Sequence, residues 1–327
     1  APFAQVSPWR KVNEPMGGKC SSDCCSPSDE AETLTFATVG ALSTLDDMTE
    51  EDQKFDSQKD ARARSDNMPP TVNYFSLEVE DLDATVDFQL KEGDTFIFKS
   101  GAAYRGQWMD NQRHGYGEQH WPDGATFQGQ WVQNCASGNG RFTHHDGDVF
   151  IGQWSANMAS GHGNYHHAGS TSYRGQWSND LQEGFGVESW MDVSRYEGIF
   201  RSGKKEDFGC YHWPDGSSFS GTWRENVMEG AGEYDASDGR RFKGQWAEGK
   251  IHGIGHYTWP GGRSFRGQYT RDQKRGFGVF VWPDGRSYEG YWLDGRQHGP
   301  GRHTTKDGKA RLALWQEGKK FHDGGDT

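Results

Sequence analysis

Tyr104-Arg105-Gly106-Gln107-Trp108 is followed by Phe127-Gln128-Gly129-Gln130-Trp131, and then by Phe150-Ile151-Gly152-Gln153-Trp154, each 23 residues after the last. The series continues through Tyr173-Gly175-Trp177, Tyr196-Gly198-Phe200, Phe219-Gly221-Trp223, Phe242-Gly244-Trp246, Phe265-Gly267-Tyr269 and Tyr288-Gly290-Trp292, with no insertion or deletion. Strict phasing of this kind means that one geometric unit is reused. Aromatic, glycine and aromatic at i, i+2 and i+4 fall on one face of a strand, because side chains alternate with period two. The central glycine leaves a slot in which a neighbouring strand's ring can lie.

The remaining columns of the unit are turns and a second strand. Three residues after the second aromatic stand Asn111, Asn134, Asn157, Asp180, Gly203, Asn226, Gly249, Asp272 and Gly295. Asn, Asp and Gly tolerate a left-handed backbone, so this column predicts a turn with φ > 0. A G-x-G follows, as in Gly115-Gly117 and Gly253-Gly255. The next strand ends in Trp121-Pro122-Asp123-Gly124, Trp213-Pro214-Asp215-Gly216 or Trp282-Pro283-Asp284-Gly285. Asp-Gly between alternating strands is a strong hairpin signal. Each unit therefore supplies two antiparallel strands and two tight turns. The predicted fold is all-β, an elongated, twisted, single antiparallel sheet of stacked hairpins, ~85–90 Å long at ~4.8 Å per strand. Ser170 and Val193 replace the turn glycine in two central units and Asp207 replaces another glycine, which predicts a kink or a loosened hairpin there.

Composition agrees with stacking repeats rather than a packed globule. Hydrophobic residues make up only 32%, yet aromatics reach 14%, with 14 Trp and 46 Gly. The net charge of −12 sits wholly in residues 1–95, with 8 Lys+Arg against 20 Asp+Glu, while residues 240–320 hold 17 against 7. The domain reading is an acidic disordered leader over 1–70, an N-terminal β cap over 71–103, the repeat array over 104–320 and a tail over 321–327. Tyr74–Val79 and Thr95–Phe98 read as strands of the cap, and Val86, Phe88 and Leu90 alternate with polar residues.

Tyr288-Glu289-Gly290-Tyr291-Trp292-Leu293-Asp294-Gly295-Arg296-Gln297-His298-Gly299-Pro300-Gly301 resembles a MORN unit, Y-x-G-x-W-x-x-G-x-x-H-G-x-G, almost residue for residue. Trp246–Gly255 does so again through Gly249, His252 and Gly253. The resemblance spans the whole array. It implies stacked MORN β-hairpins, attachment to membranes or proteins, and scaffolding, often with self-association. Such units also occur beside catalytic domains in plant-type phosphatidylinositol phosphate kinases and one class of lysine methyltransferase, in junctophilins, and in radial-spoke heads of cilia.

The chain carries no phosphate-binding loop, kinase signature, nucleophile elbow or H-E-x-x-H zinc motif, so the expectation is a non-catalytic protein without cofactor. The doublets His144-His145 and His166-His167 raise a metal site. His144 and His167 share one column of successive units, ~9.5 Å apart in a flat sheet, too far for one ion, so no metal is expected. Met16-Gly17-Gly18-Lys19-Cys20-Ser21 fits the myristoylation pattern if Met16 is the true start, which makes Gly17, Cys20, Cys24 and Cys25 lipidation candidates. Arg263, Arg266, Arg271, Lys274, Arg275, Arg286, Arg296 and Arg302 are candidates for acidic phospholipid or a partner. Trp121, Trp213, Trp259 and Trp282, beside turns, are the candidate exposed aromatics. The acidic leader argues against nucleic acid. The expected function is a scaffold or adaptor that tethers protein partners at a membrane or cytoskeletal structure. It is expected to be intracellular and cytoplasmic, peripheral at a membrane or at the cytoskeleton or cilium. Alternatives are an axonemal protein like radial-spoke heads, and the regulatory part of a phosphatidylinositol phosphate kinase. Exposed terminal strands would favour self-association.

Overall fold

The computed structural model describes residues 74–75, 78, 81–82 and 91–323, apart from 170. The lipidation candidates Gly17, Cys20, Cys24 and Cys25, and the alternation over 86–90, lie outside the described residues. Twenty-one strands follow one another: β1 (Thr95–Ile97), β2 (Ala103–Met109), β3 (Gln112–His120), β4 (Thr126–Val132), β5 (Cys135–Thr143), β6 (Val149–Ser155) and β7 (Met158–His166). Then come β8 (Thr171–Ser178), β9 (Leu181–Trp190), β10 (Arg195–Arg201), β11 (Lys204–His212), β12 (Ser218–Arg224), β13 (Val227–Asp235) and β14 (Arg241–Ala247). The series closes with β15 (Lys250–Thr258), β16 (Ser264–Thr270), β17 (Gln273–Val281), β18 (Ser287–Leu293), β19 (Arg296–Thr304), β20 (Ala310–Gln316) and β21 (Lys319–Asp323).

All belong to one sheet. Each ladder joins a strand to its neighbour in the chain, antiparallel, from β1–β2 to β20–β21. The result is an open antiparallel meander. Within β2–β3 the register sets Tyr104 opposite Gln119, Gly106 opposite Gly117 and Trp108 opposite Arg113, with Gln107 bulged between them. The same register recurs in β4–β5 and in most later hairpins.

The rings pack over the glycines, with one difference from the sequence reading. Tyr104 covers the glycine of its own strand as well as that of its partner. A Cβ on Gly117 would lie 2.4 Å from Tyr104 Cζ, and one on Gly106 would lie 2.6 Å from the Tyr104 hydroxyl. The Trp of the following unit then closes the row. Trp131 Nε1 donates to the Gly117 carbonyl at 3.3 Å, and Trp154, Trp177, Trp223 and Trp292 repeat this at 3.1–3.2 Å. Every first aromatic thus meets the second aromatic of its own unit and of the next edge-to-face, at 4.8 to 5.5 Å, from Tyr104–Trp108 to Tyr288–Trp315. Edge-to-face pairs add about 0.5–1.5 kcal/mol each beyond buried area. This unbroken ladder is the core.

Both central residues of the short turn have φ > 0, as at Asp110 (51°) and Asn111 (58°), which is the type I′ geometry of two-residue hairpins. At the other turn, Trp121 N donates to the Ala125 carbonyl and Gly124 N to the Trp121 carbonyl, both at 3.0 Å. The expected loosening at Val193 does not occur. Val193 takes φ 64° and keeps both turn bonds, Trp190 N to Ser194 O and Val193 N to Trp190 O, at 3.0 Å. Asp207 likewise takes φ 51° within β11. Tyr74 and Phe75 have helical backbone rather than the expected strand. Phe75, Glu78 and Leu82 are all buried, Phe75 against Phe127 and Trp131 and Glu78 against Arg113.

Candidate docking site on the aromatic face

The tenth position of the unit lies on the aromatic face opposite the second ring. It holds Arg113, Ala136, Ala159, Gln182, Lys205, Met228, Ile251, Lys274 and Gln297, all buried. Cations in such a column need compensation, because an uncompensated buried charge is costly. Arg113 is 0% exposed and receives it from outside the array. Its Nη1 donates to Glu78 Oε2 at 3.2 Å and to Gln119 Oε1 at 3.0 Å, its Nη2 donates to the Asn134 carbonyl at 3.1 Å, and its guanidinium lies 4.4 Å from the Trp131 ring. Gln119 Nε2 and Ser100 Oγ also donate to Glu78, at 2.6 and 3.3 Å. Burial pushes the Glu78 carboxyl up, against the opposing pull of Arg113, and pushes the Arg113 guanidinium down to about 10 against the pull of Glu78.

Around this pair, residues of the segment ending at Leu82 are anchored over the first three units. Phe75 is fully buried and meets Trp121, Phe127, Trp131 and Trp154 edge-to-face at 5.3–5.8 Å. Trp121 Nε1 donates to the Tyr74 carbonyl at 2.8 Å. The Tyr74 hydroxyl donates to Asp123 at 2.8 Å, and Lys99 pairs with Asp81 at 2.8 Å. Burial and Asp123 together push Tyr74 up to about 12. The aromatic face of the array therefore binds a peptide segment through a ring, a backbone carbonyl and a carboxylate.

The other two cations use the same face. Lys205 pairs with Glu188 at 2.8 Å and lies 5.0 Å from the Trp190 ring and 5.2 Å from Tyr196. Lys274 lies 5.0 Å from Trp259, 5.3 Å from both Phe265 and Phe280, and 5.4 Å from Trp292.

Two groups of candidate residues are placed differently from expectation. Trp121, Trp213, Trp259 and Trp282 are not exposed, at 8, 9, 8 and 4%. They sit on the aromatic face: Trp213, Trp259 and Trp282 pack on the ring two positions before them, as in Tyr257–Trp259 at 4.2 Å and Phe280–Trp282 at 4.4 Å, and Trp121 packs on Phe75 at 5.3 Å. Nor do the eight bases form one surface. Lys274 is core, Arg263 and Arg286 lean on Trp259 and Trp282, and Arg266 and Arg302 lie on the opposite face in line with His256 and Glu289. Arg271, Arg275 and Arg296 are exposed along the short-turn edge. One histidine of each doublet is tied to a carboxylate, His144 to Asp146 at 2.7 Å and His167 to Asp148 at 2.8 Å. Among the described residues no three His, Cys, Asp or Glu groups converge as metal ligands.

The sequence reading missed two sets of residues. The bulged fourth position is a bracket: Gln107 Oε1 accepts from Tyr116 N at 2.7 Å, and Gln130, Gln153, Gln176, Gln245 and Gln268 repeat this. In the ninth unit Pro300 has no N–H to offer, and Tyr291 replaces the glutamine. Phe75 and Glu78 were also missed; the signal that could have found them was Arg113, a cation in a column that also holds Ala136, Ile251 and Met228.

The MORN-repeat family model matches nine consecutive stretches, 104–126, 127–149, 150–171, 173–192, 196–218, 219–240, 242–262, 265–285 and 288–310. Comparison with curated proteins finds no match. Among solved structures, the chain is similar to the TCP10 domain of Danio rerio CPAP, at 14% identity and a TM-score of 0.35, covering 62% of this chain and 96% of that one. It is similar also to the G-box domain of the microcephaly protein CPAP, at 13% identity and a TM-score of 0.36, covering 62% and 100%. Likenesses this distant carry no functional argument. With nine matched repeats over more than half its length, each folded as a hairpin of one sheet, the chain belongs to the MORN-repeat family of scaffold proteins.

Proposed function

We propose that this protein is a non-catalytic scaffold that tethers protein partners by gripping their segments on the aromatic face, at a membrane or cytoskeletal structure. One observation carries the reading: the face already holds Phe75, Glu78 and Leu82, so its rings and buried cation are built to take a peptide. Main-chain and ring contacts of this kind are a recurring mode of peptide recognition. Site-specific photo-crosslinking tests it. A benzoylphenylalanine at Arg263, over Trp259, should yield protein adducts in cells, and one at Arg266, on the opposite face, should yield few. Equal labelling from both faces, or labelling from Arg266 alone, would sink the proposal.

A second reading, attachment to acidic phospholipid, draws support from one edge. Exposed Lys250, Arg271, Arg275, Arg296 and Lys319 crowd the short turns of the last units. Near an anionic leaflet each such charge adds about 1 kcal/mol. Co-sedimentation with phosphatidylserine vesicles should fall at least tenfold when Arg271, Arg275 and Arg296 become Glu. Unchanged sedimentation would reject the lipid.

A further inference from the structure

Lys274 shows what a long side chain at the tenth position does on the aromatic face. Its ammonium lies 5.0 Å from Trp259, 5.3 Å from both Phe265 and Phe280, and 5.4 Å from Trp292. These are position eighteen of the seventh unit, positions one and sixteen of the eighth, and position five of the ninth. Four rings wall one slot, and the tenth side chain fills it. In the second unit that side chain is the single methyl of Ala136. The slot is filled all the same. Phe75 lies 5.3 Å from Trp121, 5.4 Å from Phe127, 6.1 Å from Phe142 and 5.8 Å from Trp154, the same four positions one for one, and it is fully buried. A separate segment of the chain thus supplies the group that the unit's own strand lacks.

That segment is held mainly by side chains. The sheet begins at β1, so no strand ladder ties Tyr74, Phe75 or Glu78 to it. Their grip is one ring, the Trp121 Nε1 bond to the Tyr74 carbonyl, the Tyr74 hydroxyl bond to Asp123, and the buried Glu78–Arg113 pair. Desolvation offsets much of the attraction in a buried pair. Elements held by few backbone bonds open locally at lower cost than core strands do. Release would uncover the slot and Arg113 together and leave the hairpins paired.

Resting on the scaffold reading above, we propose that the slot over Ala136 is a docking site for a partner's aromatic side chain, and that residues 74–82 are a built-in competitor that a partner segment displaces. The partner segment carries an aromatic residue with Asp or Glu three positions later, as Phe75 and Glu78 stand in this chain. Its ring enters the slot, its carboxylate pairs with Arg113, and the carbonyl before the ring accepts from Trp121 Nε1.

A fluorescein-labelled peptide of residues 72–84, added to the full-length protein and followed by anisotropy, tests the proposal. Wild-type protein should bind it weakly, because the slot is taken. Phe75→Ala in the protein should bind it at least about tenfold more tightly, and Ala136→Met added to that variant should reverse the gain. Met228 holds the same place in the sixth unit, opposite Trp223 as Ala136 is opposite Trp131, so the methionine fills the slot within a register that already accepts it. Circular-dichroism spectra should be unchanged. In the peptide, Phe75→Ala and Glu78→Gln should each cost about tenfold or more. Should Phe75→Ala not fold, Glu78→Gln in the protein, which keeps the side chain's shape, should tighten binding about threefold.

Three outcomes overturn the proposal: no saturable binding to any variant, equal affinity for wild type and the vacated variants, or a gain that survives Ala136→Met. A wild-type dimer that Phe75→Ala dissociates would also overturn it, because the segment would then belong to a second copy. Arg263 lies in the seventh unit, so crosslinking there that persists while the peptide fails leaves the scaffold reading standing without this slot.

Discussion

At the sixteenth position of each unit the aromatic face holds, among others, Phe142, Tyr165, Tyr211, Tyr257 and Phe280, and in the ninth unit His303, which is 2% exposed. Burial penalises the imidazolium, and Arg286 and Lys320 repel it further, so His303 is held down to about 4. Because its folded pKa lies below the unfolded value of about 6.5, the unfolded chain binds the extra proton between those two pH values. Stability from this group is complete above about pH 6.5 and is lost as pH falls towards 4. His212 and His256, also held low by burial and a neighbouring arginine, act in the same direction, whereas Glu78, pushed up, acts oppositely. The thermal midpoint should be flat from pH 7 to 8 and fall by roughly 3–5 °C at pH 4.5. His303→Phe, which places at this position the residue already at Phe142 and Phe280, should remove a measurable part of the slope. A slope identical in the variant would show that His303 is not its source.

Among the elements, the short turn divides into two kinds that the residue pattern alone does not separate. Asn134, Asn157, Asp180, Asn226 and Asp272 each accept, through Oδ1, the backbone N–H at the tenth position of the preceding unit, at 2.7–2.8 Å. Glycines at the same place, such as Gly249, have no side chain to do so. Gly249 has φ +73° and only Val227 Cγ1 near its missing Cβ, at 3.7 Å, so asparagine fits both the backbone and the space. Gly249→Asn should stabilise by about 0.5–1 kcal/mol, whereas Gly249→Ala, strained and without an acceptor, should cost about 1 kcal/mol. Chemical denaturation that ranks alanine at or above asparagine would refute the capping role. The turn, the ring column and the glycine column were legible because they recur every 23 residues, and recurrence turns a weak local preference into a strong one. The docked segment has no such help. It occurs once, its contacts join Glu78 to Arg113 across 35 residues, and no period predicts a single long-range pair. The turn tryptophans misled for a related reason: turn chemistry marks a loop tip as exposed, but Trp213, Trp259 and Trp282 are covered by the ring two residues earlier and Trp121 by Phe75.

The sheet as a whole is quasi-one-dimensional, since each strand pairs only with its neighbours in the chain and each ring meets only the rings of adjacent units. Stability in such an array is approximately a sum of unit and nearest-neighbour terms. Removing one whole period should therefore shorten the sheet without breaking it. Deleting residues 219–241 joins position twenty-three of one unit to position one of another, and brings Trp246 over Tyr196 and Gly209 where Trp223 stood. The new junction is ring for ring, but Lys205 N loses the Asn226 Oδ1 acceptor because Gly249 takes that place. A far-UV spectrum unchanged per residue and a midpoint lowered by only a few degrees are expected. Deleting the 12 residues 219–230 instead removes one strand and puts the aromatic columns out of register on opposite faces, so that chain should lose its cooperative transition. Collapse of the 23-residue deletion, or survival of the 12-residue one, would mean that something other than the ladder of rings between neighbouring hairpins holds the sheet together.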